Sequence, residues 1–297
     1  MTRFADQACS VQTEIVENVS VARNTMRLRF RAPAMSQCVV PGQFFMLRNP
    51  AGNDPLIGRA LALYDVGSDS SGDWIDVVYV VKGKLTSSLV KLPAGAPLAI
   101  WGPLGNGFAP PSAEHLVMVA GGIGQTPFLA LAKEGLGRQR FGHPTPRPSG
   151  GAGRVSLVYG VRSAEYLAGV DAFKEVGVEV HIATEDGSIG PPRRVTELLA
   201  EVLDASPAAT VVCCGPEPMM EAVCQLTAAR HVDCHVSLET PMACGIGICF
   251  TCVAKVGSPN DWDYKRTCVE GRSSMATRHR FAVVGALLQQ RQRPRAR

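Results

Sequence analysis

Cys244, Cys249, Cys252 and Cys268, separated by four, two and fifteen residues, constrain this chain more than any other feature. The first two intervals match a plant-type 2Fe-2S ligand run, in which a later cysteine supplies the fourth thiolate. The segment 243–252, ACGIGICFTC, carries no charge. Its glycines at 245 and 247 let the backbone curl closely around a cluster and aim N–H groups at its sulfurs. Ile246 and Ile248 are expected to pack over the site and limit water near the iron. A structural zinc site with four thiolates is the competing reading, because soft tetrahedral ligands suit either centre. The spacing and the glycine loop favour iron and sulfur. Eight of the ten cysteines lie beyond residue 200, and no secretion signal is readable, so the clustering points to metal chemistry before disulfides. Cys224 is expected to be core in an amphipathic helix.

A cluster loop needs a scaffold, and 297 residues at roughly 100–200 per domain provide for two domains plus a small third. With 46% apolar residues, 30 Gly and 21 Pro, the chain has a sizeable core and more turn-formers than a helical bundle uses. No apolar stretch reaches about 18 residues, so neither a membrane span nor a signal peptide is read, and a cytoplasmic protein is expected. The formal charge is +4, yet residues 271–297 hold seven Arg and no acid, leaving the first 270 residues at −3. The tail has no aromatic interleaving and no reading helix, so it is expected to be a solvated terminus and not a nucleic-acid surface.

Residues 14–106 read as β: apolar and polar residues alternate in Met26–Phe30, and β-branched runs recur between turn signals. Six or more short strands of this kind make a small closed barrel or sandwich. The period changes near Glu114. From there, apolar strands at 116–120, 155–159, 178–182 and 209–213 alternate with helical segments at 126–134, 166–175, 194–203 and 218–229, which implies a parallel sheet covered on both faces over residues 111–235. Residues 137–153 (GRQRFGHPTPRPSGGAG) have no apolar periodicity and are expected to be an exposed, mobile insertion whose removal the sheet would tolerate.

Two strand-to-helix turns in this sheet carry ligand chemistry. Gly121-Gly122-Ile123-Gly124 would present helix N-terminal amides to a pyrophosphate, and Cys214-Gly215-Pro216 forms a second turn at a strand end. Tight-turn glycines without a ligand are the alternative for either turn alone. In the barrel region, Arg59 opens the segment RALALY and can contact phosphate bidentately while the adjacent backbone runs beside a flat ring; Tyr64 could stack. Arg162 and Ser163 could accept a 2′-phosphate but suit NAD equally. Glu217 reads as a nicotinamide contact or as a helix N-terminal carboxylate. The six histidines lack metal-like spacing and are expected at the surface or as satisfied core.

The order RALALY, KGKLTSSL, GPLGNGF, AGGIGQTP, YGVRS, CCGPEPMM and ACGIGICFTC resembles the electron-transfer subunits of the NAD-linked bacterial dihydroorotate dehydrogenases, within the ferredoxin reductase superfamily, over residues 11–272. The resemblance implies a multidomain chain of mixed β and α/β class. Its parts would be a small antiparallel FAD-binding β-barrel (11–110), an α/β parallel-sheet NAD-binding domain (111–235), a small C-terminal 2Fe-2S lobe (236–275) and a basic tail (276–297). It implies flavin contacts from Arg59, Ala62 and Leu63, with Leu63 beside the ring, and from Gly83 and Thr86 near the FAD diphosphate. Gly122 and Gly124 fall in the pyridine-nucleotide loop; Cys214, Gly215 and Pro216 face the nicotinamide. Ala62 stands where the family's flavin motif has Ser or Thr, so a backbone amide replaces one hydroxyl contact.

The implied function is to carry electrons from dihydroorotate, via the FMN of a separate catalytic subunit, through the cluster and FAD to NAD+ in pyrimidine biosynthesis. Nicotinamide exchanges two electrons as hydride and the cluster passes one at a time, with flavin joining them. No acid–base catalytic residue is required in this chain. The implied partner is that FMN subunit, in a heterotetramer with two copies of each, with no nucleic acid and no membrane. Thr240–Met242, Ile246–Ile248 and Phe250 would form the apolar contact surface. A related subunit serving NAD(P)H and ferredoxin, or a sulfur-linked partner, is the first alternative; a noncatalytic redox-sensing or assembly module is the second.

Overall fold

A computed structural model describes residues 7–206, 208–258, 261–270 and 274–275. In the first part, β1 (Cys9–Ala22), β2 (Thr25–Phe30), β3 (Phe44–Arg48), β4 (Arg59–Asp69), β5 (Gly72–Val80) and β6 (Pro97–Leu104) close into an antiparallel barrel in the order β1-β2-β5-β4-β3-β6. The alternation seen in the sequence is the reason. On β2, Met26, Leu28 and Phe30 point into the barrel and are buried, while Arg29 points out and forms a bidentate pair with Asp76 across the β2–β5 ladder, at 2.7 and 2.8 Å. Phe30 meets Phe45 edge to face at 6.0 Å inside. Pairing of β1 with β6 removes the exposed edges. Two short helices, α1 (Pro33–Cys38) and α2 (Lys84–Leu89), cover the barrel.

The second part is a sheet of β7 (His115–Gly121), β8 (Arg154–Val161), β9 (Glu179–Thr184), β10 (Ala209–Cys214) and β11 (Asp233–Ser237), all parallel, with β14 (Ser274–Met275) antiparallel at one edge. Every residue of the central β7 is buried, as a strand covered on both faces requires. Helices α3 (Phe128–Gly135), α4 (Val170–Glu175), α5 (Val195–Asp204) and α6 (Glu217–Ala229) make the crossovers. On α5, Val195, Leu198, Leu199, Val202 and Leu203 form the apolar stripe that docks on the sheet. His115 is fully buried core, held between the Ser206 and Ser156 hydroxyls at 2.9 and 2.8 Å. Cys224 is half-buried on α6 and lies against Cys234 of β11. Between β11 and β14, the hairpin β12 (Val253–Ser258) and β13 (Asp261–Arg266) belongs to a small separate lobe. The basic tail expected at 276–297 lies outside the described residues. Among those described, no helix is long and apolar enough to cross a membrane.

Residues 137–153 are not the mobile, dispensable insertion expected of their composition. Phe141 is 2% exposed and packs in the barrel core. Arg147 clamps Glu134 of α3 bidentately, at 3.0 and 2.5 Å, and donates to the Phe108 carbonyl at 2.6 Å. Gln139 donates to the Val66 carbonyl at 3.2 Å, and the His143 amide to that of Gln37 at 2.9 Å. The segment is a strap that fastens the sheet domain to the barrel. An interdomain ion pair, Lys133 with Asp65, closes at 2.6 Å beside it. Glu134 is inaccessible to solvent, and burial pushes its carboxyl above the ordinary range against the pull of Arg147. Removing one partner of such a pair strands a buried charge, so Arg147→Ala should lower stability by about 3–5 kcal/mol in denaturant unfolding. Pairing Arg147→Met with Glu134→Leu should recover most of that loss.

Candidate functional site

The four cysteines meet in the C-terminal lobe as two adjoining pairs. Cys252 and Cys268 are buried with their sulfurs 3.2 Å apart; Cys249 lies within hydrogen-bonding reach of Cys244, and Cys268 feels the charge of Cys244. Among the described residues, no three His, Cys, Asp or Glu side chains close on one point to hold a single ion. Two pairs side by side suit a centre of two irons, each taking two thiolates. The Thr251 hydroxyl bonds Cys249 at 3.1 Å and, with its amide and Cys244, pulls that exposed thiol down to about 6; burial and the Cys252 neighbour push Cys268 up to about 12.

The glycines perform the turn read from the sequence. Gly245 (φ +73°) and Gly247 (φ +83°) hold left-handed conformations, and a Cβ on Gly245 would stand 2.6 Å from Leu104. The Ile246 amide donates to the Cys244 sulfur at 3.4 Å. The barrel grips the loop at both ends: Trp101 Nε1 donates to the Cys244 carbonyl at 2.9 Å, and Asn106 Nδ2 to the Val269 carbonyl at 3.0 Å. Ile246 and Ile248 do not pack over the cysteines as expected. They are 45% and 72% exposed, because the curled backbone turns its amides inward and its side chains out.

The second site lies at the sheet's switch point, where crossovers from β7 run to β8 and β9 on one side and those from β10 run to β11 on the other. The two glycine turns touch there. A Cβ on Gly124 would stand 2.2 Å from the Cys214 carbonyl oxygen, and one on Gly215 2.9 Å from the Gly121 amide nitrogen. A cavity of about 800 Å³ opens above them, lined by Gly122, Pro216 and Met219 at this end and by Arg162 and Glu185 at the other. Gly122, at φ +54°, has no atom within 4 Å of where a Cβ would be, so its face is open to a ligand. Cys214 is buried at the end of β10, and burial pushes its thiol up to about 12. Glu217 is exposed at the start of α6 and does not line the cavity.

Arg59 is exposed, its Nη1 donating to the Gly58 carbonyl at 3.1 Å. Ala62 pairs with Phe44 across the β3–β4 ladder. Leu63 is fully buried in the barrel core, so its side chain faces inward and only its backbone is available beside a ring. Tyr64 does not offer a stacking face either: it is buried between the domains, its hydroxyl against Gly169, where a Cβ would be 2.3 Å away. A bulge between Leu63 and Asp65 breaks the alternation there. Thr86 Oγ1 accepts the amides of Lys82 and Gly83, each at 3.0 Å, fixing the turn, while Gly83 has open space where a side chain would be.

Two residues escaped sequence reasoning. Glu239, just after β11, interacts with both Lys82 of the barrel and Cys214 of the sheet, marking where the two sites adjoin. Gln125 is wholly buried next to the Gly124 turn with neither carboxamide atom paired. Its signal was a polar residue in an otherwise apolar turn.

Family models match this division. The oxidoreductase FAD-binding domain covers residues 12–108, the oxidoreductase NAD-binding domain 118–225, and the iron-sulfur cluster binding domain of dihydroorotate dehydrogenase B 239–271. The electron transfer subunit of dihydroorotate dehydrogenase B (NAD(+)) from Desulforamulus reducens is 32% identical over 252 residues, covering 84% of this chain and 90% of that protein. The Bacillus caldolyticus subunit is 32% identical over 255 residues, covering 84% and 91%. This chain belongs to the dihydroorotate dehydrogenase B electron-transfer subunit family. The NADH-dependent reduced ferredoxin-NADP oxidoreductase structure superposes with a TM-score of 0.73 at 26% identity, covering 89% of this chain and 88% of that one. A carbazole 1,9a-dioxygenase ferredoxin reductase, at 20% identity and a TM-score of 0.63, shares the fold. As a member of the family, the chain is an oxidoreductase electron-transfer subunit using FAD, NAD and an iron-sulfur centre. Cys249→Ser should abolish the cluster's visible absorbance and acid-labile sulfide, while FAD content and NADH oxidation with an artificial acceptor partly survive; equal loss of FAD would show that the lobe is needed for the barrel to fold.

Proposed function

We propose that this subunit docks on an FMN-containing dihydroorotate dehydrogenase catalytic subunit, two copies of each, and hands its electrons to NAD+. The observation that carries this reading is the cluster loop: four thiols drawn together in a lobe whose side chains Ile246, Ile248 and Phe250 face solvent, with Phe250 61% exposed. A one-electron centre works only if another redox group comes close, and an apolar rim is what a docking partner would bury.

The residues divide the remaining work. Cys244, Cys249, Cys252 and Cys268 would hold the cluster. Arg59, the Ala62 and Leu63 backbone, and the Gly83 turn fastened by Thr86 would hold the FAD. Gly122 and Gly124 bring the coenzyme diphosphate against backbone amides, and Cys214, Gly215 and Pro216 border the nicotinamide. Bound flavin exchanges hydride with nicotinamide and single electrons with the cluster. The Cys214 thiol, held neutral by burial, would move no proton there. The Lys133–Asp65 pair and the Arg147 bond to the Phe108 carbonyl would keep barrel and sheet in register.

Co-expression with the catalytic subunit, native mass measurement and assay of one preparation for both half-reactions test the proposal. A complex of two copies of each, reducing NAD+ with dihydroorotate, is expected. A chain that ignores the catalytic subunit and instead exchanges electrons between NADH and ferredoxin would replace this reading with the alternative. Ile248→Asp should weaken binding of the catalytic subunit at least about tenfold with the cluster absorbance retained, since a charge in an interface core is strongly disfavoured.

A further inference from the structure

Charge is unevenly placed in the coenzyme cavity. Its end at Gly121, Gly122, Pro216, Pro218 and Met219 is neutral, whereas Arg162, Glu185, Arg193 and Arg194 line the end where β8 and β9 finish. The backbone brings these together: the Glu185 amide donates to the Val161 carbonyl, and the Arg193 amide to the Thr184 carbonyl, each at 3.1 Å. Their side chains are not equally engaged. Asp186, next in sequence, spends its carboxylate on the amide and hydroxyl of Ser188. Arg193 is paired with Glu201. Arg23, on the barrel rim of the cavity, is paired with Glu165. Glu185, Arg162 and Arg194 have no side-chain ion pair among the described residues.

We propose that Glu185 alone sets the preference for NAD over NADP, by accepting hydrogen bonds from the adenosine ribose hydroxyls and repelling a 2′-phosphate that Arg162 and Arg194 would otherwise bind. This rests on reading the cavity as the coenzyme site. A carboxylate at a strand end is suited to a ribose diol, and a guanidinium to a phosphate. Here both chemistries share one rim, so the phosphate site is built and then vetoed by a single negative charge. The preference should therefore be narrow and reversible by neutralising one side chain, which is exposed and fixes no other element.

The test uses the full cofactor-loaded chain. Binding of 5′-AMP, adenosine 2′,5′-bisphosphate, NADH and NADPH is measured by calorimetry, and oxidation of both reduced coenzymes is followed with an artificial acceptor. Glu185→Gln should tighten adenosine 2′,5′-bisphosphate and NADPH at least about tenfold, a change of about 1.4 kcal/mol, and weaken NADH severalfold. Adding Arg162→Ala and Arg194→Ala to that variant should erase the gain. NADH binding by the native chain with an unchanged NADH-to-NADPH ratio in Glu185→Gln overturns this proposal alone, as does a gain that survives loss of both arginines. A native chain that binds neither dinucleotide overturns the reading of the cavity and this proposal with it.

Discussion

Two ion pairs drawn out of water organise the seam between barrel and sheet: Lys133 with Asp65 crosses it directly, and Arg147, held on Glu134, crosses it through its bond to the Phe108 carbonyl. Neither pair is an economical way to add stability, because taking four charges out of water offsets much of their attraction. What they add is geometric definition. A bidentate guanidinium–carboxylate clamp accepts one orientation, whereas an apolar seam tolerates sliding. Around them, Tyr64 pressed on Gly169 and Phe141 in the barrel core fill the space that would permit a hinge.

The cluster loop follows a different logic. Its backbone curls around sulfur with left-handed glycines at 245 and 247, and this inversion sends aliphatic side chains outward. Protection of the cysteines falls to the buried Cys252 and Cys268 side and to the barrel floor made by Leu104 and Met46. The exposed side holds Cys249, whose sulfur is stabilised as a thiolate by the Thr251 hydroxyl. One face of the cysteine site is thus sealed by its own chain, and the other is open to solvent.

Much of this was legible in residue order, because cysteine spacing, strand alternation and glycine turns are local signals. Cys244 to Cys268 announced a thiolate centre, and Gly121–Gly124 and Cys214–Pro216 marked adjacent strand ends before any sheet order was known. The strap was illegible for a physical reason: its composition is that of a loose loop, and Phe141 and Arg147 acquire meaning only from partners on β-strands and on α3. Tyr64 went wrong because a bulge between Leu63 and Asp65 changes which face a residue presents, and bulges leave little trace in sequence. Ile246 and Ile248 went wrong because apolar character was equated with burial. Glu239 was invisible because its neighbours, Lys82 and Cys214, come from two other domains.

The Trp101 and Asn106 bonds tie the two ends of the cysteine segment to the barrel, while β11 and β14, which flank the lobe in the chain, pair with each other in the sheet. The lobe is therefore a bridge with a foot on each half. A shift of barrel against sheet would pull on the cysteine loop from both sides, so the contacts that hold the two halves together also hold the thiols in place.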